Sequence, residues 1–196
     1  MNLTEAKTRY LNAGEFFSPD YGKSNETLDL FRSTNPTLSP EQTSELVGIL
    51  NSTNSDWNPK FFVADLLYHY EGMDRSLMDP MLTSAANFGD PSFNRIFLKP
   101  CIQAFGGSDV VERLSEKFQN GDFAERVGIS LLVYWLQAYE IDVTRLCTML
   151  ENASNNTNNL IELYHYRLAM PNRTDLFPNM PDHAAALCQQ IEGNEN

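Results

Sequence analysis

Apolar residues return along the chain at a constant interval of 32 residues. Three columns repeat at this interval, and they consist of Leu46, Met78 and Val110; Leu50, Leu82, Leu114 and Leu146; and Ala86, Phe118 and Leu150. A fixed period of roughly 20–50 residues is typical of stacked structural repeats. Within each period the apolar residues are three or four positions apart, which predicts amphipathic helices. No segment shows the strict alternation that would predict a strand.

Polar turn residues precede the second apolar segment of each period. Asn58 and Asp90 are both followed by proline, and Asp122 stands 32 residues after Asp90. Asn and Asp favour the residue before a helix, and proline favours the first helical position. The pattern therefore predicts helix pairs, with a second helix opening at each of these residues.

We expect an all-α fold in one globular domain, because no helix pair can cover its own apolar face without a neighbour. Residues 40–170 should form a right-handed stack of about four antiparallel helix pairs. Residues 1–39 should form an N-terminal helical cap or arm. Residues 171–196 should contain a loop, a short helix and a tail.

Several helix boundaries follow from local chemistry. We expect helices at 3–13 and 25–31, a helix start at Ser108-Asp109, and a polar loop from Asn152 to Asn159. Ser39-Pro40 is a further helix start, since it combines a capping serine with a proline. Pro80 should bend its helix or shift the point where that helix begins.

The paired helices and the turn residues Asn58, Asp90 and Asp122 resemble the HEAT and armadillo class of helical repeats. The resemblance covers residues 40–170. It implies a curved scaffold whose second helices line a concave, partner-binding face. The chain departs from that class in its shorter period, and Arg95 and Arg126 stand at unequal positions in their helices.

Charge and composition narrow the range of partners. The 196 residues include 26 acidic and 14 basic side chains, for a net charge of −12. Such a balance disfavours a nucleic acid, which needs clustered Lys and Arg. The acids are scattered along the chain, so they could simply form a solvated surface, or they could attract a partner that is itself basic. No apolar run reaches the length of about 18 residues that would span a membrane, and we expect no membrane association.

The cysteines and the N-terminus favour a cytoplasmic location. Cys101, Cys147 and Cys188 are isolated from one another, as reduced thiols usually are in cytoplasmic proteins. The first residues lack the apolar core of a signal peptide.

The sequence contains no catalytic, metal-binding or cofactor-binding signature. There is no Gly-x-Ser-x-Gly elbow and no cysteine–histidine motif. The histidines are His69, His165 and His183, and the first two lie three periods apart, too far to share a metal ion. We therefore expect no catalytic residue, no bound metal and no cofactor.

The triplet Tyr-His-Tyr occurs at 68–70 and again at 164–166, three periods later. Tyrosine combines a large apolar ring with a polar tip, and it is common at protein interfaces. Polar residues of the second helices could line a groove together with these tyrosines. The candidate partner-binding residues are Tyr68, His69, Tyr70, Arg95, Lys99, Arg126, Tyr164, His165 and Tyr166.

The leading hypothesis is a non-catalytic scaffold that binds another protein. It could be an inhibitor or immunity-type protein that neutralises a toxin or an enzyme, or it could be an adaptor. The alternative is a helical enzyme or small-ligand-binding domain. Its pocket would be lined by Tyr68, His69, Tyr164 or Trp135.

Overall fold

The structure is a computed structural model that describes residues 1–13, 21–68, 70 and 72–170, with only the backbone of 21–25. Within these residues the fold is all-α, with ten α-helices, one 3₁₀ turn and no β-strand. The helices are α1 (Leu3–Asn12), α2 (Tyr21–Thr34), α3 (Pro40–Leu50), α4 (Asn58–Leu67), α5 (Met78–Asn87), α6 (Arg95–Phe105), α7 (Gly107–Asn120), α8 (Phe123–Ala138), α9 (Thr144–Asn156) and α10 (Leu160–Ala169). The predicted C-terminal helix lies outside the described residues.

Two helix starts confirm the capping predictions. Ser39 Oγ accepts a hydrogen bond from the backbone N–H of Gln42 at 3.2 Å, and the Gln42 side chain accepts one from Ser39 N at 2.8 Å. This reciprocal arrangement is a capping box. Asp122 caps α8 by accepting a bond from Glu125 N at 2.9 Å. Both caps satisfy amide groups that lack a partner within the helix.

Pro80 shifts the start of its helix, as the sequence predicts. A 3₁₀ turn, Arg75–Leu77, precedes α5, which begins at Met78. Pro80 therefore lies in the first turn, where its missing N–H would have had no partner in the helix.

Two predicted helix starts are wrong. The helix expected after Asp90-Pro91 begins only at Arg95, because Asp90 first forms a turn and accepts a bond from Ser92 N at 2.8 Å. The helix expected to be capped by Ser108-Asp109 begins one residue earlier, at Gly107. Gly106 makes the corner with φ of 84°, a conformation that favours glycine.

The predicted loop over 152–159 is also wrong in its first half. α9 continues to Asn156, and the connection to α10 consists of only three residues. Asn156 donates its side-chain amide to the Asn152 carbonyl at 2.7 Å, and buried Ser154 bonds to the Glu151 carbonyl at 2.8 Å. Near the N-terminus, the bounds of α1 nearly match the predicted helix at 3–13, while α2 is twice as long as the predicted helix at 25–31.

The 32-residue period is a pattern of burial. Every residue of the three columns is buried, and none is more than 6 % exposed. The two helices of each pair pack on one another, as do α3 and α5, α7 and α9, and the successive second helices α4, α6, α8 and α10. The first helices α5 and α7 are joined by polar side chains. Arg113 pairs with Asp79, and Lys117 Nζ donates to Thr83 Oγ1 at 2.7 Å.

The closest crossing in the core brings α5 against α8. A Cβ atom added to Gly128 of α8 would lie 1.8 Å from the carbonyl oxygen of Ala86 in α5. Only glycine permits the two backbones to approach this closely.

The described part of residues 1–39 packs on α4. The Arg32 guanidinium of α2 donates to the carbonyls of Asp65 at 2.5 Å and Leu66 at 3.1 Å. These carbonyls belong to the last turn of α4 and have no partner within that helix. Tyr10 of α1 donates to the Asp65 carboxylate at 2.6 Å. The N-terminal helices therefore cap the end of α4.

Candidate functional site

A chain of contacts between basic and aromatic side chains begins where α4 meets α6. Lys99 Nζ lies 4.5 Å from the centre of the Tyr68 ring and donates a hydrogen bond to the Tyr68 hydroxyl. Near the start of α4, Lys60 Nζ lies 4.7 Å from the centre of the Trp57 ring, and burial lowers the pKa of this lysine. The negative face of an aromatic ring attracts a cation at these distances.

Arg95 continues the chain of contacts from α6 to α8. Its guanidinium carbon lies 4.6 Å from the centre of the Trp135 ring. Trp135 Nε1 donates to the Pro91 carbonyl at 2.7 Å, which fixes the orientation of the indole. Arg95 and Lys99 are four residues apart in α6 and therefore lie on the same side of this helix.

A small pocket lies between α8 and α10, next to these contacts. The volume of this pocket is about 190 Å³. Its lining consists of Pro91, Ser130, Leu131, Tyr134, His165, Leu168 and Ala169. Tyr134 is 52 % exposed, and its ring centre lies 4.9 Å from that of Trp135. Burial lowers the pKa of His165, so its imidazole is neutral near pH 7.

We call these connected residues the second-helix strip. It consists of Tyr68, Lys99, Arg95, Trp135, Tyr134, His165 and Tyr164. Tyr164 joins the strip through its ring contact with His165, at 5.3 Å between centres. Five of the predicted partner-binding residues belong to it. Tyr134 and Trp135 are additions, since both lie in the most apolar segment of the sequence, where an aromatic residue is most simply a core residue.

The bases of the strip differ from most other bases of the protein. Ion pairs with carboxylates are formed by Lys7, Arg9, Arg32, Arg75, Arg113, Lys117, Arg126 and Arg145. Arg95 and Lys99, the two bases of the strip, have no carboxylate at ion-pair distance among the described residues, and each lies over an aromatic ring. The same holds for Lys60, which lies outside the strip near the start of α4. The strip therefore presents positive charge that the rest of this acidic protein does not neutralise locally.

The other predicted site residues lie elsewhere. Tyr70 is buried and donates its hydroxyl to the Asn35 carbonyl. Tyr166 is 1 % exposed, so its ring offers almost no surface to a partner. His69 lies outside the described residues. The two Tyr-His-Tyr triplets are not structurally equivalent, because Tyr68 follows the end of α4 whereas 164–166 lies in the middle of α10.

Arg126 belongs to a buried polar cluster around Glu162. Arg126 donates to Glu162 Oε1 from Nε at 3.0 Å and from Nη2 at 2.5 Å, and Tyr166 donates to the same oxygen at 2.9 Å. Thr157 Oγ1 donates to Glu162 Oε2 at 2.6 Å. A groove of about 500 Å³ opens beside this cluster, between the end of α7, α9 and α10.

The pKa values of this cluster follow from its contacts. Burial raises the pKa of Glu162, but the bonds from Thr157, Arg126 and Tyr166 outweigh that effect and leave it below its ordinary value. Burial and the bond to Glu162 raise the pKa of Tyr166 to about 12. The carboxylate stays ionised and already accepts four hydrogen bonds, its usual capacity. Three of these bonds end on Oε1 and one on Oε2, and together they tie α8 and the connection between α9 and α10 to α10.

The described residues contain no cluster of metal ligands, and their cysteines are not activated. No three His, Cys, Asp or Glu side chains among them come together as metal ligands. Cys101 is buried, and burial raises the pKa of its thiol, which keeps it protonated and unreactive. Burial also raises the pKa of Cys147. None of the described helices is long and apolar enough to cross a membrane.

The described residues thus include an extended surface, the second-helix strip, and a polar cluster around Glu162 whose bonds lie within the fold. The resemblance to HEAT and armadillo repeats stays a prediction. Comparisons with protein-family models, with curated proteins and with solved structures found no match for this chain.

Proposed function

We propose that this protein is a non-catalytic, cytoplasmic helical-repeat scaffold that binds another protein through the second-helix strip. The observation that carries the proposal is the set of bases on this surface that rest on aromatic rings instead of carboxylates. Arg, Trp and Tyr supply a large share of the binding energy at protein interfaces. A right-handed stack of helix pairs would align the four second helices and make the strip continuous.

Preorganisation supports the same proposal. Contacts with Trp135 and Tyr68 hold Arg95 and Lys99 in place before any partner arrives. A side chain that is already ordered loses less conformational entropy on binding, so more of its contact energy contributes to affinity. An inhibitor or immunity-type protein, and equally an adaptor, needs a rigid surface of this kind.

Affinity capture with matched variants tests the proposal. Tagged wild-type protein, Arg95→Glu and Arg145→Glu would each be used to retain proteins from the cells that naturally produce the chain. Arg145 is the control, because it is an exposed arginine on a first helix, away from the strip. A partner retained by wild type and Arg145→Glu but lost with Arg95→Glu supports the proposal. Identical retention by all three, or none by wild type, would show that the strip binds no protein.

One observation favours the alternative of a small-ligand-binding domain. The Nδ1 atom of His165 is buried beside the small pocket and has no hydrogen-bond partner among the described residues. Native mass spectrometry of protein purified from its source separates the two functions. A bound small molecule that Leu168→Phe removes by filling the pocket would favour the alternative.

A further inference from the structure

We propose, on the basis of the protein-binding function above, that the strip recognises an acidic segment carrying one large apolar or aromatic anchor residue. The anchor side chain would occupy the pocket between α8 and α10. The carboxylates beside it would pair with Arg95 and Lys99. This proposal names the chemistry of the partner and therefore goes beyond the existence of an interface.

The size of the pocket argues for a single side chain. Its volume of about 190 Å³ is below the roughly 300–1,000 Å³ that is usual for pockets that enclose a complete small ligand. Leu131, Leu168 and Pro91 make much of its wall apolar, and the neutral His165 adds no charge. An apolar side chain gains about 25 cal/mol for each Å² that it buries in such a place.

The pocket and the cations are neighbours. Pro91 lines the pocket and accepts the hydrogen bond of Trp135, and Arg95 lies over the Trp135 ring. Lys99 follows one helical turn later. An extended segment with its anchor in the pocket would therefore place the adjoining residues next to Arg95 first and Lys99 second.

Local charge favours acidic residues at those positions. Neither Arg95 nor Lys99 has a carboxylate at ion-pair distance among the described residues, so each can accept one from a partner. Arg95 can bind a carboxylate through two parallel N–H bonds. At physiological salt, charges separated by more than about 8 Å are largely screened. Direct contact with Arg95 and Lys99 therefore outweighs the repulsion from acids beyond this distance, although net charge alone would favour a basic partner.

The inference is tested with a displayed library of random 12-residue peptides, from which those that bind the full chain are selected. We expect the enriched peptides to place Asp or Glu within three residues of Phe, Tyr, Trp or Leu. Their affinity, measured by fluorescence anisotropy on synthetic copies, should fall at least tenfold with Arg95→Glu and severalfold with Lys99→Glu. The Arg145→Glu control should stay within twofold of wild type. Circular dichroism would confirm that each variant is folded.

A second pair of measurements isolates the anchor. Replacing the anchor by Ala should weaken binding to wild type at least tenfold. Leu168→Phe, which fills the pocket, should reduce the affinity for the original peptide and remove most of that difference. Peptides enriched without acidic residues, unchanged affinity for Arg95→Glu, or no enrichment would each overturn the inference. If captured proteins depend on Arg95 but bind through basic segments, the protein-binding function stands and the acidic segment is wrong.

Discussion

The crossing of α5 and α8 at Gly128 gives the sharpest test of the packing. In Gly128→Ala, the new methyl group would lie 1.8 Å from the Ala86 carbonyl oxygen, 2.5 Å from its carbon and 2.9 Å from Cα. All three are backbone atoms of a helix, so no side chain can rotate away to make room. Real Cβ contacts essentially never fall below 3.0 Å, and the two helices must therefore separate by at least 1.2 Å.

The separation disturbs a dense part of the core. Met81, Leu82 and Ala85 of α5 and Ile129 and Leu132 of α8 are all buried near this crossing. Overpacking a core costs about 1–3 kcal/mol, and a rigid backbone contact places this case at the upper end or beyond. Alanine regains about 1 kcal/mol over glycine through its higher helix propensity. We therefore expect a net loss of about 2 kcal/mol, which lowers Tm by about 4–8 °C in a chain of this size.

Urea denaturation followed by circular dichroism at 222 nm measures the effect, and Gly48→Ala is the matched control. Gly48 lies within α3, and a Cβ atom added there meets nothing within 4 Å. That variant should gain about 0.4–1 kcal/mol from propensity and from reduced freedom of the unfolded chain. If Gly128→Ala were as stable as Gly48→Ala, the close approach of α5 and α8 would be refuted.

Three further outcomes follow from single contacts. Burial raises the pKa of Asp65 to about 6, whereas an unfolded Asp ionises near 4, so its contribution to stability falls as pH rises from about 4 to 6. As pH rises across that window, the urea midpoint of Asp65→Asn should therefore rise relative to that of wild type. A constant difference between the two midpoints would contradict this. Arg32→Met removes two charged hydrogen bonds, each worth about 1.5–3 kcal/mol, and should speed amide hydrogen exchange at the end of α4 while α9 stays unchanged. Arg126→Met should cost about 2 kcal/mol in denaturant titrations by leaving Glu162 without its cation, and adding Glu162→Gln should recover part of that loss; additive effects would exclude their coupling.

The all-α fold and the buried columns could be predicted from sequence, because burial imposes the apolar period. A stacked helix needs an apolar residue at the same depth in each period, and Leu50 and Leu82 are both fully or almost fully buried. The helix boundaries depend on local side-chain hydrogen bonds, and the 32-residue period carries no information about these bonds. Asp90 bonds to its own turn, so α6 begins late, and the Asn-rich end of α9 stays helical through side-chain bonds of its own.

The candidate site could be predicted only in part. Arg95 and Lys99 stand out in sequence, because they are charged residues on the polar side of an otherwise apolar helix. The aromatic partner of Lys99, Tyr68, also stands out through its Tyr-His-Tyr triplet. The contact of Arg95 with Trp135 could not be predicted, since Trp135 is 40 residues away and lies in an apolar segment. The sequence predicts that Tyr166 contacts a partner, because its triplet repeats that of Tyr70. Its hydroxyl instead donates a buried hydrogen bond to Glu162.

The polar contacts between α5 and α7 should depend on salt concentration. Arg113 and Asp79 are half exposed, and added salt weakens such pairs. The apolar crossing at Gly128 has no comparable weakness, since burial of apolar surface is undiminished or strengthened by many salts. High ionic strength should therefore weaken the contact between α5 and α7 more than the contact between α5 and α8.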